Sequence, residues 1–272
     1  MKKIVGMDKI TSIQNPSIKN IVKLKVKSTE RKQQKLFIIE GAKEIGLALS
    51  AGFVIESVYC YLPLVKKDFI NFVLKQSSGR VKLIEINKEI FEKIATRDSS
   101  DGLLAVAQQR NDCLDVIKLS KNPLIIILET VEKPGNLGAV LRTADAANAD
   151  AVIICEPNTD FYNPNTIRSS LGCVFTNQIA ACTITEVIDW LKKNNIVSYA
   201  AALSGTTYYH KTNFKHPSAI VMGTEAHGLS KDWLTYADKI IKIPMMGQID
   251  SLNVSAATAI ILFEAKRQRD FM

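Results

Sequence analysis

The polar and apolar positions change their rhythm along the chain. In the first hundred residues helical and strand-like patterns alternate. GAKEIGLALSAGF (41–53) has apolar positions at helical spacing, and VIESVYCYL (54–62) and GLLAVAQQ (102–109) have strand character. A compact α/β module is expected there. RNDCLDVIKLSKNP (110–123) mixes charges, ends in Pro123 and reads as a linker or a boundary helix.

From Pro123 onward short, continuously apolar runs alternate with amphipathic ones. PLIIILETV, DAVIICE, IVSYAAL, SAIVMG and DKIIKIP are the strand candidates. Helices are expected over LGAVLRTADAANA, near EVIDWLKKNN, near LSKDWLTYA and over the final segment after Asn253. Strands this uniformly apolar need both faces covered, so the pattern predicts a mainly parallel sheet flanked by helices. No internal repeat or low-complexity tract is seen. The division predicted is a small domain over 1–110 and a second over 111–272.

Composition changes this picture in one respect. Thirty-five Lys and Arg against 27 Asp and Glu give a formal charge of +8, and 47% of residues are hydrophobic. The excess is concentrated: residues 1–35 carry ten Lys or Arg and two acids, Asp8 and Glu30. That segment is either a solvated basic face or a surface for polyanions. Five widely spaced cysteines (Cys60, Cys113, Cys155, Cys173, Cys182) without a C-x-x-C pair suggest reduced thiols and a cytoplasmic location. Three scattered histidines argue against a metal site, and no apolar run is long enough for a signal peptide or membrane span.

Three stretches carry candidate chemistry. In ETVEKPGNLGAVLRTADAANAD (129–150) a strand over 124–128 passes through a Pro-Gly turn into a helix expected to begin near Leu137. Free amides at such a turn suit an anion or a polar ligand, and Asn136 is a cap or a ligand group. Neither G-x-G-x-x-G nor G-x-x-x-x-G-K-[ST] is present, which weighs against nucleotide folds of those types. In IVMGTEAHGLS (220–230) a strand ends at Gly223, followed by Glu225, Gly228 and Ser230 as an expected N-cap. In IPMMGQIDSLNVS (243–255) Ser251 and Asn253 stand where the last helix begins, more polar groups than one cap requires. Three strand ends with glycine and small polar residues predict a ligand site at one edge of the sheet.

Together NLGAVLRTA (136–144), MGTEAHGLS (222–230) and IPMMGQIDSLNVS (243–255) resemble the SpoU (TrmH) family of RNA ribose 2'-O-methyltransferases of the SPOUT class. NPNTIRSSLGCVF (163–175) is a weaker fourth similarity, and ITSIQNPSIKNIVKL with KLFIIEG resembles the family's amino-terminal substrate-binding domain, a small ribosomal-protein-like α/β module. The resemblance implies S-adenosylmethionine as cofactor, a homodimer, and a deep carboxy-terminal trefoil knot, which chain-threading rules would by themselves exclude. It places Asn136, Arg142, Glu225, Ser251 and Asn253 at the reaction centre. Cofactor contacts would come from Leu203, Ser204, Gly205, Met222, Gly223, Glu225, Ile243, Met245, Ser251 and Leu252.

Arg142, Arg168, Lys19, Lys23, Arg31 and Lys35 are the expected RNA contacts; Phe161 and Tyr162 either stack on a base or pack inward. A guanidinium holds its proton too firmly to be a comfortable base. Arg142 is therefore expected on the phosphate and developing alkoxide, with Glu225, phosphate or water taking the proton; no histidine, His227 included, is expected as base. Structured RNA, above all 23S ribosomal RNA, is the expected substrate. Transfer RNA and a non-catalytic ribosome-assembly role are the alternatives.

Overall fold

The computed structural model describes residues 7–77, 79–96, 101–157, 160–224 and 227–271. These form two compact units, 1–110 with 162–176, and 111–161 with 177–272. Elements are numbered in chain order across both.

The first unit holds strands β1 (Asp8–Ile10), β2 (Leu36–Glu40), β3 (Ile55–Cys60), β4 (Lys82–Ile86) and β5 (Leu103–Gln108). Its helices are α1 (Pro16–Val26), α2 (Ser28–Gln34), α3 (Ala42–Ser50), α4 (Lys67–Gln76), α5 (Lys88–Ile94) and the later α7 (Pro164–Ser169). The sheet order is β1-β4-β3-β5-β2, parallel from β1 to β3 and antiparallel through β5 and β2. Asn15 starts α1 by accepting the Ser17 amide, and Pro16 occupies the first turn, where its missing N–H costs nothing. Ile18, Ile21 and Leu24 recur at helical spacing and pack on Ile38, Tyr59 and Ile84 of the sheet.

The segment 162–176 is held by rings. Tyr162 stacks on Phe37 at 4.4 Å, Phe175 meets Phe53 edge-on at 5.1 Å, and the Arg110 guanidinium lies 3.9 Å above Phe53. Tyr162 and Phe161 are both buried, so they pack inward.

The second unit holds β6 (Leu124–Glu129), β7 (Ala151–Cys155), β8 (Ile179–Cys182), β9 (Val197–Ala201), β10 (Thr207–Tyr208), β11 (Ser218–Met222) and β12 (Lys239–Lys242). Its helices are α6 (Pro134–Ala146), α8 (Ile184–Lys193), α9 (Lys231–Tyr236) and α10 (Val254–Gln268). The seven strands run β10-β12-β9-β11-β6-β7-β8, every pair parallel. Every residue of β6, β7 and β11 is buried, as expected for strands covered on both faces. The 110–123 stretch is a connection with a single 3-10 turn, Leu114–Val116. Register aligns Leu128, Met222, Ala201 and Ile241 in one row across β6, β11, β9 and β12. All four strands run the same way, so the loops after this row leave from one edge.

Candidate active site

Those loops surround a cleft of about 520 Å3, within the range of small-ligand pockets. Leu203 and Ser204 line it from the end of β9, Met222 and Gly223 from β11, Ile243 and Met245 from β12, and Ser251 and Leu252 from the approach to α10. Two of the three quoted stretches, 220–230 and 243–255, thus converge here together with the end of β9, because β11, β9 and β12 are neighbours and end in register; the first, 129–150, does not line this cleft. Gly205 is an exception among the expected contacts. It is buried against β12, and a Cβ there would stand 2.7 Å from the Ile241 carbonyl carbon, so it sets the wall's position without lining the cleft. Glu225 lies outside the described residues.

The loop after β11 is closed on itself. Thr224 and Gly228 exchange backbone bonds of 2.9 and 3.1 Å, and a Cβ on Gly223 would fall 2.2 Å from the Gly228 carbonyl carbon. Only glycine permits that approach. Buried Glu129, at the end of β6, accepts the Ser230 amide at 2.9 Å and so ties the loop's far arm to the central strand. Ser230 does precede α9 but makes no side-chain cap bond; its hydroxyl is buried without a partner among the described residues. Neighbouring Thr130 leaves β6 in the left-handed region, φ 49°, and donates its N–H to the Cys155 carbonyl at 3.0 Å.

Beside the main cleft, and sharing Gly223, Thr224 and Val254 with it, a smaller hollow of about 90 Å3 is lined by Thr130, Lys133 and Asn136. The helix above it begins three residues earlier than the sequence suggests. Pro134 occupies the first helical position of α6 and Lys133 precedes it, so Asn136 lies in the first turn and is not the cap. Proline is well suited to that position, and the Pro-Gly pair that reads as a turn is therefore helical. The Asn136 carbonyl oxygen accepts from the Asn253 side-chain amide at 3.2 Å, joining the first quoted stretch to the third. Asn253 also caps α10, accepting the Ser255 amide at 3.0 Å. Ser251 Oγ donates to Asp250 at 3.1 Å. The extra polar groups ahead of the last helix are explained: one caps and bridges, the others face the cleft.

Arg142 is exposed, on α6 six residues beyond Asn136, and has no hydrogen-bond or ion-pair partner among the described residues. Six residues rotate a helix by about 240°, which turns Arg142 away from the face that carries Asn136. His227, set aside as a base in the sequence reading, does line the cleft, with its amide bonded to Thr224 Oγ1 at 3.0 Å. Gly228, in the second quoted stretch, lines it as well, and so do Thr224, Ala201 and Lys242, which the sequence does not single out. The end of β9 was legible as a strand end, and the strand-end rule would have found Ala201.

Among the expected RNA contacts, Lys19, Lys23 and Lys35 are exposed in the first unit, the first two four residues apart on one face of α1. Arg168 is exposed on α7. Arg31 is a correction: it is 1% exposed and its guanidinium donates to the Leu24 carbonyl at 2.6 Å, closing the last turn of α1. A buried cation spent on backbone carbonyls does not face solvent phosphate.

The sequence profile described as the SpoU rRNA Methylase family matches residues 123–263, just over half of the chain. The chain belongs to this family. An MRM3-like substrate binding domain matches residues 15–105. RlmP of Bacillus subtilis (strain 168), named 23S rRNA (guanosine(2553)-2'-O)-methyltransferase, is 26% identical over 260 residues, 96% of this chain and 100% of that one. RlmB of Haemophilus influenzae, a 23S rRNA (guanosine-2'-O-)-methyltransferase, is 33% identical over 193 residues, covering 68% of this chain and 78% of its own. Among solved structures, the AdoMet-bound rRNA methyltransferase from Sinorhizobium meliloti superposes with a TM-score of 0.88 at 30% identity over 96% of this chain and 98% of that one. No described helix is long and apolar enough to cross a membrane, and no described group of three or more His, Cys, Asp or Glu side chains could hold a metal ion.

Proposed function

We propose that the protein transfers a methyl group from S-adenosylmethionine to a ribose 2'-hydroxyl of structured RNA, with 23S ribosomal RNA as the substrate. The observation that carries this reading is that the 222–230 and 243–255 family stretches meet at one strand-end cleft, and that the 136–144 stretch joins them at the adjoining hollow through the Asn136–Asn253 bond. The fit to the cofactor rests on the cleft's own chemistry. Leu203, Met222, Ile243 and Leu252 give apolar walls for a flat base, while Ser204, Thr224 and Ser251 give polar groups for a ribose and an amino-acid end. When bound, the cofactor supplies an electrophilic methyl on a sulfonium.

The remaining work belongs to the chain. Asn136 and Asn253, held by each other, orient the target ribose at the small hollow. Arg142, exposed and with no described partner, binds the phosphate adjacent to the target ribose. The proton goes to Glu225, to the phosphate or to water. Residues 1–110 form the RNA-binding domain, with Lys19, Lys23 and Lys35 on phosphates; residues 111–272 form the methyltransferase domain, from which Arg168 of α7 adds a further phosphate contact.

The same reading includes a homodimer, a knotted carboxy terminus and a cytoplasmic location. Ile260 and Phe263, 36% and 41% exposed on α10, support the dimer as an apolar face on a terminal helix. The knot is supported by strand order. The last strand, β12, lies between β9 and the edge strand β10, and the chain after it packs as α10 on α6, an order compatible with a threaded carboxy terminus. The cytoplasm is where ribosomal RNA of this kind is modified and where free thiols persist.

The test is tritium transfer from labelled S-adenosylmethionine to ribosomal and transfer RNA from cells lacking the protein, with mapping of alkali-resistant sites. One labelled ribose in large-subunit RNA is the expected result. Label confined to transfer RNA would replace the substrate, and no cofactor binding by calorimetry would remove the enzymatic reading.

A further inference from the structure

The edge strand β10 carries an aromatic cluster that neither the core nor the cofactor cleft requires. Tyr208 stacks on His210 with ring centroids 5.6 Å apart and planes 10° from parallel, and Tyr209 meets the same imidazole edge-on at 5.4 Å. Two ammonium groups stand over the Tyr208 ring, Lys211 at 5.8 Å and Lys242 at 5.5 Å. Tyr208, His210 and Lys211 are exposed. Exposed parallel rings ringed by cations are an uncommon use of surface, since aromatic faces are ordinarily buried for their apolar area.

The cluster is fixed in place before any ligand arrives. Residues Tyr209–Lys211 form a 3-10 turn closed by the Thr212 amide on the Tyr209 carbonyl at 3.1 Å, and Gln268 of α10 donates to the Thr212 carbonyl at 2.8 Å. Its position is set by register. Tyr208 pairs with Lys242, the last residue of β12, so the rings lie at the sheet edge where the cofactor cleft opens. Lys242 itself lines that cleft.

Parallel rings and flanking ammonium groups match one chemistry well. An unpaired nucleobase offers a π-face of similar size, and its neighbouring phosphates offer the opposite charge. A folded protein partner would bring no such regular alternation of flat rings and single negative charges.

We infer that Tyr208 and His210 form a stacking platform for an unpaired base of the RNA substrate, with Lys211 and Lys242 on the phosphates beside it. The inference rests on the reading of RNA as substrate and adds a contact on the second unit, separate from the basic face of the first. It makes the loop around the target nucleotide, and not only the RNA held by α1, part of what is recognised.

The test measures binding of fluorescein-labelled single-stranded RNA to the full-length protein by anisotropy, independently of methyl transfer, for Tyr208→Ala, His210→Ala and Tyr208→Phe. Tyr208→Ala is expected to weaken binding on the order of 10-fold, the effect of losing one stacked base. Tyr208→Phe, which keeps the ring, is expected to stay within about two-fold. S-adenosylmethionine affinity by calorimetry shows whether each variant is folded, and His210→Ala decides the matter if Tyr208→Ala is not. Wild-type RNA affinity in both alanine variants would overturn the platform. So would a change in sedimentation mass on Tyr208→Ala, because it would show a second copy covering the rings. A wild-type protein that binds RNA through these rings yet labels no RNA would remove the methyltransferase reading and leave the platform standing; labelling with ring-independent binding would do the reverse.

Discussion

Two arginines of the same chain have opposite assignments at the scale of a residue. Arg31 has almost no exposure and closes α1 through the Leu24 carbonyl, whereas Arg142 is exposed without a described partner. Replacing Arg31 by Met keeps volume and removes the charged hydrogen bond, so unfolding free energy should fall by about 2 kcal/mol while RNA affinity in the folded protein is unchanged. Denaturant titration alongside RNA binding checks both halves, and a selective loss of RNA affinity would return Arg31 to the interface. Arg142→Lys keeps a positive charge but loses the planar fork that grips phosphate through two bonds. Methyl transfer is expected to drop at least roughly 10-fold with cofactor affinity intact. Near-wild-type turnover would sink the specific guanidinium role.

Among the elements, α8 gives the clearest case of sequence fixing local structure. Thr183 and Glu186 form a reciprocal capping box: the Glu186 amide donates to Thr183 Oγ1 at 3.3 Å, and the Thr183 amide donates to the Glu186 carboxylate at 2.7 Å. The Thr183 amide, then its hydroxyl, hold the Glu186 carboxyl below its usual 4.5. A carboxyl lowered in the folded state contributes stability that is present above its unfolded value and is lost as pH falls through the folded one. The stability advantage of wild type over Glu186→Gln should therefore be full near neutrality and shrink on acidification below about pH 4.5. Thermal melts across that range measure it; a difference that grew on acidification would contradict the assignment. Elements that depend on such local signals, or on continuous burial, were the readable ones: α3, β3, β5, β6, β7, α8, β9, β11 and α10 lie where their patterns fall. Short β1, β8 and β10 carry too few residues for a period, and β10 exists because β12 supplies its hydrogen bonds.

For the whole molecule, the formal +8 charge is expressed as exposed lysines, with Lys19 and Lys23 on one face of α1. If they neutralise RNA phosphates, Lys19→Ala with Lys23→Ala should reduce the slope of log affinity against log salt by about 1.5, the release of two counterions. Binding isotherms at several salt concentrations test this, and an unchanged slope would leave α1 as a solvated face. The two units also divide the chain differently from any single boundary. Residues 162–176 group with the first unit because Tyr162 and Phe175 are partners for Phe37 and Phe53, an association of side chains more than a hundred residues apart.

By itself the sequence determined the α/β class, the parallel sheet and the three stretches that supply the cleft and the hollow beside it. Those follow from local periodicity and from glycines and small polar residues at strand ends, each decided within a few positions. Only the tertiary structure decided that Gly205 shapes a wall without lining it, that Arg31 is buried, that His227 faces the cleft, and that Asn253 reaches across to Asn136. Each of these depends on a backbone or side chain distant in the chain, and a side chain's role is set by what surrounds it, which no stretch of sequence contains.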